Sequence, residues 1–201
     1  MSDPTNIRIS LAEADAIAER IRALLAPHCD RIEIAGSIRR RKADVGDIEL
    51  VCIPARVSPP DLFGREHPAR AGGFIDAARG IGRICKGCLR TGKYMQFRTM
   101  EGVAVDLFTA HAENWGLVLA VRTGSFDFSY HCLAKGWSRC GYRSIDNMLT
   151  RGSRQIEVRE ESDLFRLIGV PWVDPVDRSW PVTTSGCSES ETKKEESVSC
   201  P

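Results

Sequence analysis

The stretch from Arg31 to Ile53, RIEIAGSIRRRKADVGDIELVCI, constrains the fold more than any other part of the chain. Its first residues alternate between apolar and polar side chains, which is typical of a half-buried strand. Gly36-Ser37 interrupts this alternation, and glycine tolerates the backbone angles of a turn. A basic run follows, and a second apolar stretch begins after Asp47. The sequence therefore predicts a strand, a turn, a basic segment and a second strand.

The second strand contains two carboxylates, Asp47 and Glu49. Successive side chains of a strand point to opposite faces, so these two share one face while Ile48 and Leu50 occupy the other. Hard divalent cations bind oxygen ligands, and Mg²⁺ needs only one or two carboxylates besides substrate phosphates. We therefore expect a magnesium site on the polar face of this strand.

The turn and the basic segment offer groups that bind phosphate. The backbone N–H groups around Gly36, the Ser37 hydroxyl and the cations of the run 39–42 all donate hydrogen bonds to anionic oxygens. A solvated basic loop or a diffuse nucleic-acid-binding patch is the alternative interpretation of such a run. Beside a magnesium site, the same groups predict that metal and phosphate meet in one place.

A third carboxylate, Asp106, lies within the apolar run VAVDLF. If this run is a strand, its first two valines and its leucine share one face and leave Asp106 on the other. Alone, such a residue is more often at a sheet edge or in a salt bridge. Together with Asp47 and Glu49 it supplies the third ligand that a pair of metal ions requires.

These motifs, in this order, resemble those of the DNA polymerase β-like nucleotidyltransferases, and in particular the family X DNA polymerases. The matching residues are Gly36-Ser37, Arg39-Arg40, Gly46-Asp47-Ile48-Glu49, Val105-Asp106-Leu107-Phe108, Glu113-Asn114-Trp115-Gly116, Thr123-Gly124-Ser125 and Asp163-Leu164-Phe165. The resemblance covers about residues 6 to 180. It implies an α+β fold, with a nucleotidyltransferase palm of mixed sheet and helices over residues 1–110 and a small α+β thumb-like subdomain over 111–181.

The resemblance also implies the catalytic metal site. Asp47 and Glu49 would bridge two Mg²⁺ ions, and Asp106 would bind the ion that activates the attacking hydroxyl. Mn²⁺ is an alternative ion.

The nucleotide site is implied in the same way. Gly36, Ser37 and Arg40 would hold the β and γ phosphates of a nucleoside triphosphate. Thr123-Gly124-Ser125 would lie against the sugar and base of that nucleotide, although Gly124 is also explained as the end of a helix.

The chain departs from the family pattern at four places. They are Glu49 for an aspartate, Ala104 for an arginine, Val121-Arg122 for Tyr-Phe, and Ser129 for an asparagine that contacts the base. The lyase and helix-hairpin-helix elements that grip DNA in this family have no match here. We therefore expect weaker DNA binding that depends strongly on salt, because phosphate contacts dominate such binding.

The expected function is that of a minimal family X-like DNA polymerase. Such an enzyme adds a dNMP to a DNA 3′-hydroxyl and releases pyrophosphate, in DNA repair or gap filling. Its partners would be a nucleoside triphosphate and DNA, and we expect a monomer. One alternative is nucleotide transfer to a small molecule, a protein or RNA, but small transferases of that kind lack the thumb-like module. The other is a catalytically weak DNA-binding module, which the three retained carboxylates disfavour.

Further helices and strands follow from periodicity and capping signals. A capping box of Ser10 and Glu13 predicts the start of an amphipathic helix that runs to Pro27. The other predicted elements are a short helix around Phe74–Ala78, strands Arg83–Cys88, Tyr94–Met100 and Val103–Phe108 with a hairpin turn at Glu101-Gly102, a helix from Trp115 to Thr123, a helix from Phe126 to Trp137, short strands Tyr142–Ser144 and Gln155–Arg159, and a helix Glu161–Ile168.

The eight cysteines do not point to a metal framework. Cys85 and Cys88 form half of a zinc-ribbon pattern with no second C-x-x-C, so ordinary thiols explain them better. The sequence shows no signal peptide and no apolar run of membrane-spanning length. We therefore expect an intracellular protein with reduced thiols, located in the cytoplasm, or in the host cytoplasm if it is virally encoded. Residues 182–201 are polar and are predicted to be a disordered tail.

Overall fold

A computed structural model describes residues 7–56, 71–88 and 93–182. The chain divides into two compact units, Met1–Ala112 and Glu113–Pro201. The proline-rich segment with Pro59, Pro60 and Pro68 and the tail after Val182 lie outside the described residues. Both units combine helices with strands, which confirms the predicted α+β class.

The first unit is built around a five-stranded mixed sheet. In chain order its elements are β1 (Ile9–Ser10), α1 (Leu11–Leu25), a 3₁₀ turn (Ala26–His28), β2 (Cys29–Ile34), α2 (Gly36–Arg39), β3 (Asp44–Val45), β4 (Asp47–Pro54), α3 (Gly72–Arg79), β5 (Arg83–Gly87), β6 (Tyr94–Arg98) and β7 (Ala104–Thr109). The spatial order of the sheet is β2-β4-β7-β6-β5, while β1 and β3 pair separately. Strands β4 and β7 are parallel, and every other neighbouring pair is antiparallel.

One face of this sheet is covered by helices. The capping box of Ser10 and Glu13 starts α1 as predicted. This helix packs on β2, β4 and α3. The core between them consists of apolar side chains from both layers: Ala14, Ala18, Ile21, Leu25, Ile48, Leu50, Phe74, Met95, Phe97, Val105 and Leu107. Because these residues fill one face, the alternate positions of β4, β6 and β7 point to the other.

The second unit combines helices with a small antiparallel sheet. Its elements are α4 (Trp115–Thr123), α5 (Phe126–Phe128), a π-helical segment (Ser129–Ala134), α6 (Lys135–Arg139), β8 (Arg143–Ile145), β9 (Met148–Arg151), β10 (Arg154–Ile156), α7 (Glu161–Leu167) and a 3₁₀ turn (Pro175–Asp177). Their core contains Leu117, Ala120, Phe128, Leu133, Leu149, Val158, Leu164, Phe165 and Ile168.

Both short strands predicted in this unit are present, as β8 and β10, and a third strand that was not predicted, β9, lies between them. Asp146 and Asn147 have φ values of 55° and 64° and form a two-residue loop in which Ile145 pairs with Met148. Such loops need positive φ at both positions, and aspartate and asparagine tolerate this. Strand β10 ends at Ile156 rather than Arg159.

Cys140 is disulfide-bonded, so the prediction of reduced thiols is wrong at this position. Cys29, Cys52, Cys85, Cys88 and Cys132 are not disulfide-bonded. Among the residues that the structure describes, no helix is both long enough and apolar enough to cross a membrane.

Candidate active site

The pairing of β4 with β7 brings three carboxylates to one face of the sheet. In the parallel register Glu49 lies directly beside Asp106. Asp47 precedes Glu49 by two residues, so its side chain points to the same face. All three lie near the amino-terminal ends of their strands and are partly buried. The buried side chains of Ile48 and Leu50 occupy the opposite face, as the sequence predicted.

The surroundings of the Asp47 carboxylate disfavour its ionised form. Burial raises its pKa above the usual 3.8, and the nearby charge of Asp106 raises it further. Arg40 and Arg8 oppose this shift without cancelling it. Because the pKa rises overall, the ionised form is less stable here than in water, and an additional cation would stabilise it.

This charge imbalance gives a stability prediction. Replacing Asp47 with Asn should raise the melting temperature at about pH 7 in the absence of divalent ions. A carboxyl whose pKa is raised by folding contributes stability below its unfolded pKa and loses it as the pH rises through the folded value. The advantage of the variant should therefore shrink as the pH falls toward 3.8.

Thermal unfolding followed by circular dichroism over this pH range measures the effect. Adding Mg²⁺ should raise the melting temperature of the wild-type protein more than that of Asp47→Asn, since a bound cation stabilises the folded state by mass action. A variant that melts below the wild-type protein at neutral pH would contradict the electrostatic assignment.

The donor set suits a hard cation, but the side chains are not arranged around one. Within the described part of the chain, no three His, Cys, Asp or Glu side chains are grouped so as to hold a metal ion. Three carboxylates on one face supply the oxygen ligands that Mg²⁺ prefers. The three carboxylates would therefore have to come closer together before they could share an ion.

Asp106 is held by two residues that the sequence analysis missed. Its Oδ1 atom accepts hydrogen bonds from Tyr94 Oη at 3.1 Å and from Gln96 Nε2 at 2.9 Å. The ring of Tyr94 stacks on Phe108, with 5.1 Å between the ring centroids. The alternation in the sequence YMQFR could have identified both residues, because Met95 is fully buried and its neighbours Tyr94 and Gln96 therefore face the carboxylates.

The hairpin between β6 and β7 determines which residues of β6 lie beside Asp106. Its turn includes Glu101-Gly102 as predicted, but the loop has three residues, since Thr99 N–H donates to the Val103 carbonyl at 3.0 Å. Gln96 then pairs with Asp106 across the sheet, and both side chains share one face. Arg20 of α1 holds the loop by an ion pair with Glu101 at 2.6 Å.

Gly36 brings the segment that is predicted to bind phosphate against β4, the strand that is predicted to bind metal. It starts the short helix α2, where the sequence predicted only a tight turn, and its φ of +61° is in the left-handed region that favours glycine. A Cβ atom here would lie 2.1 Å from Glu49 Oε2. Any other residue would therefore displace the Glu49 carboxylate.

Ser37 and Arg40 are the other two residues of this segment that are predicted to bind phosphate. The Ser37 hydroxyl is buried and has no hydrogen-bond partner among the described residues, a state that costs about 1–3 kcal/mol. Burial lowers the pKa of the Arg40 guanidinium, and the charges of Glu49 and Asp47 oppose this shift. Arg40 therefore lies close to both carboxylates, whereas Arg41 is exposed to solvent.

The predicted base-binding motif lies in the second unit, where its residues have local structural roles. Thr123 is fully buried at the end of α4. A Cβ atom at Gly124 would lie 2.7 Å from Ser129 Oγ, so a larger residue would push the following helix away. Ser125 caps α5 by accepting a hydrogen bond from Phe128 N–H at 3.2 Å. Contact of this motif with a nucleotide stays a prediction.

Comparison with known proteins identifies the fold. No protein family model matches the chain. A ternary P/T complex of Leishmania infantum polymerase beta matches with a TM-score of 0.64 and 17% identity, over 87% of this chain and 78% of that one. A ternary gap complex of the same polymerase matches with a TM-score of 0.63 and 18% identity, over 87% and 71%. The chain therefore has a polymerase β-like fold.

Proposed function

We propose that the protein is a Mg²⁺-dependent nucleotidyltransferase, and specifically a minimal family X-like DNA polymerase that adds a dNMP to a DNA 3′-hydroxyl and releases pyrophosphate. The observation that carries the proposal is the register that places Asp106 beside Glu49, with Asp47 on the same face. The Gly36 segment, packed against Glu49, adds phosphate-binding groups to the carboxylates.

The carboxylates would act as ligands of two divalent ions. When bound, such a pair activates the attacking hydroxyl and neutralises charge on the reacting phosphate and on pyrophosphate. Asp47 and Glu49 would hold both ions, and Asp106 would hold the ion at the 3′-hydroxyl. Tyr94 and Gln96 both donate to Oδ1 of Asp106, so Oδ2 is the oxygen available to a ligand or to the proton of the hydroxyl.

The α2 segment would bind the triphosphate. Ser37 lacks a partner for its hydroxyl among the residues described, and a phosphate oxygen would satisfy it once the side chain turns outward. Arg40 would donate charge-assisted hydrogen bonds to non-bridging oxygens of the β and γ phosphates. In the second unit, Thr123-Gly124-Ser125 would contact the sugar and base, as in the resembled family.

DNA is the acceptor that we propose. The matching solved structures are ternary P/T and gap complexes of a polymerase, and the likeness spans both units of this chain, 87% of its length. This coverage favours a polymerase over a transferase that modifies a small molecule, a protein or RNA.

Incorporation of labelled nucleotides by the purified chain tests the proposal. The acceptors would be gapped DNA, a primed template, single-stranded DNA, RNA and no nucleic acid, each with Mg²⁺, with Mn²⁺ and with EDTA. We expect template-directed, metal-dependent extension of gapped or primed DNA. Extension of RNA only, or labelling of the protein itself, would assign a non-DNA acceptor. Binding without any transfer would leave a DNA-binding module and overturn the proposed chemistry.

Arg40 should matter for nucleotide use and Arg41 should not. Loss of a charge-assisted hydrogen bond to phosphate costs about 1.5–3 kcal/mol, so Arg40→Ala should lower kcat/KM for the nucleotide roughly ten- to more than a hundredfold. Arg41→Ala removes the same charge from an exposed neighbour and is the matched control.

Steady-state kinetics with varied nucleotide and DNA binding measured separately would distinguish the two roles. We expect DNA affinity to change little in either variant. If both variants lost DNA affinity equally and used nucleotide normally, the basic run 39–42 would instead be a patch that binds the DNA backbone.

A further inference from the structure

An array of exposed aromatic rings lies along one continuous helical stretch of the second unit. Phe126 and Tyr130 are 83% and 50% exposed, and their rings are parallel within 2° at a centroid distance of 6.3 Å. Much of the surface of these two rings is exposed to water, where large apolar side chains are unfavourable. Packing inside the unit does not account for this exposure.

The array continues to the chain segment after the last 3₁₀ turn. Tyr130 contacts His131 edge-on at 5.0 Å, and His131 stacks on Trp180 at 5.2 Å with 13° between the ring planes. Trp180 is itself 46% exposed. Anchoring of this segment to the helix would explain the stack of Trp180 on His131, but not the exposure of Tyr130 and Phe126.

Basic side chains border the rings on the same stretch. His131, Lys135 and Arg139 follow one another at spacings of four residues, which places them on one side of a helix. Lys135 Nζ lies 3.2 Å from His131 Nδ1 and 5.2 Å from the centroid of the Tyr130 ring. The single carboxylate between residues 126 and 139 is Asp127, next to Phe126.

These groups also form a cleft and include a helical irregularity. A cleft of about 360 Å³ is lined by His131, Lys135, Ser138, Arg139 and Trp180. The segment Ser129–Ala134 is π-helical, and such insertions occur often at functional sites. The insertion brings Tyr130 and Lys135, five residues apart, into contact. We call this surface the aromatic-basic face; it consists of Phe126, Tyr130, His131, Lys135, Arg139 and Trp180.

We propose that the aromatic-basic face binds unpaired nucleotides of a single-stranded nucleic acid. Bases would stack on Tyr130, Trp180 and Phe126, and the phosphates would contact Lys135 and Arg139. Exposed aromatic platforms bordered by cations are the chemistry that single strands require, because every base has a π face and every link has a charge. The face contains none of the carboxylates, so this inference goes beyond the proposed transfer reaction and does not depend on it.

Fluorescence anisotropy of the full chain tests the proposal without metal or nucleoside triphosphate. The probes are a labelled oligothymidine, an abasic strand of the same length, an oligouridine and a blunt duplex. We expect the oligothymidine or the oligouridine to bind more tightly than the abasic strand and the duplex, and the preference between the two identifies the sugar. Tyr130→Ala and Trp180→Ala should each weaken binding by roughly 5- to 150-fold.

Conservative variants separate stacking from a structural role. Tyr130→Phe and Trp180→Phe keep an aromatic face and should retain most of the affinity, and Tyr130 carries the test if Trp180→Ala lowers the melting temperature. Lys135→Ala should reduce the salt slope by about 0.7. The matched controls are Met100→Ala, which removes a fully exposed apolar side chain of the first unit, and Arg154→Ala, which removes an exposed cation of β10.

Three outcomes would overturn the proposal. They are equal binding of the abasic strand, wild-type affinity in both alanine variants, and no binding of any single strand by the full chain. The last outcome would leave the face to a protein partner or to another segment of this chain. Because transfer is not measured, none of them bears on the proposed catalytic reaction.

Discussion

Replacing Asp106 with Asn should lower Mg²⁺-dependent nucleotide transfer about a thousandfold or more while the protein stays folded. A metal pair supplies several kcal/mol of transition-state stabilisation, and each 1.4 kcal/mol corresponds to about a factor of ten in rate. Asparagine keeps an oxygen that accepts from Tyr94 and Gln96, so the hydrogen bonds at 3.1 and 2.9 Å can persist. Only the charge and one oxygen of the proposed metal site are lost.

Single-turnover incorporation and thermal unfolding, measured on the same preparations, test this expectation. Asp76→Asn is the matched control, because Asp76 is an exposed carboxylate of the same unit that pairs with Arg79 at 2.7 Å. The control should keep full activity. Glu49→Asp should have a milder effect, because it shortens the ligand by one methylene and restores the aspartate usual in the resembled family. Activity of Asp106→Asn within tenfold of wild type would remove Asp106 from the metal site.

Replacing Glu161 with Gln should destabilise the second unit by about 3–5 kcal/mol, because it leaves a buried arginine without its counter-charge. Arg178 is 0% exposed and donates from Nη1 to Glu161 Oε1 at 2.5 Å. Its Nε donates to the Val173 carbonyl at 3.1 Å. The guanidinium also lies 5.3 and 4.9 Å from the ring centroids of Phe165 and Trp172.

Urea unfolding followed by tryptophan fluorescence measures this loss. Glu157→Gln is the matched control, since Glu157 pairs with Arg159 on the surface and such pairs are worth about 0–1 kcal/mol. The double variant Glu161→Leu/Arg178→Met should recover most of the stability, because replacing both partners of a buried pair with apolar residues is often neutral or stabilising. A loss below about 1 kcal/mol in Glu161→Gln would show that water reaches the pair.

The effect should extend to the predicted base-binding motif. Ser125, the residue before α5, donates from its N–H to the Arg178 carbonyl at 3.3 Å. The ion pair that fixes the Arg178 side chain therefore also fixes the backbone that Ser125 contacts. Arg178 and its partner Glu161 lie 17 residues apart, and no local pattern connects the two.

Local periodicity determined which side chains of each strand would share a face. Asp47 and Glu49 had to point away from Ile48 and Leu50, because the repeat of a strand is two residues. The capping box of Ser10 and Glu13 determined where α1 begins, since both partners lie within one turn. Gly36 was recognisable as a turn residue for the same local reason.

Tertiary structure alone decided which strands became neighbours and in what register. A two-residue loop of Glu101 and Gly102 would have paired Asp106 with Phe97 of the core, and a three-residue loop pairs it with Gln96. A shift of one residue exchanges the two faces of a strand, so the polar partners of Asp106 depended on that loop length. The parallel pairing of Glu49 with Asp106 joins residues that are far apart in the chain. Such pairing depends on burying the opposite face of the whole sheet under α1 and α3, a property that no single segment of the sequence contains.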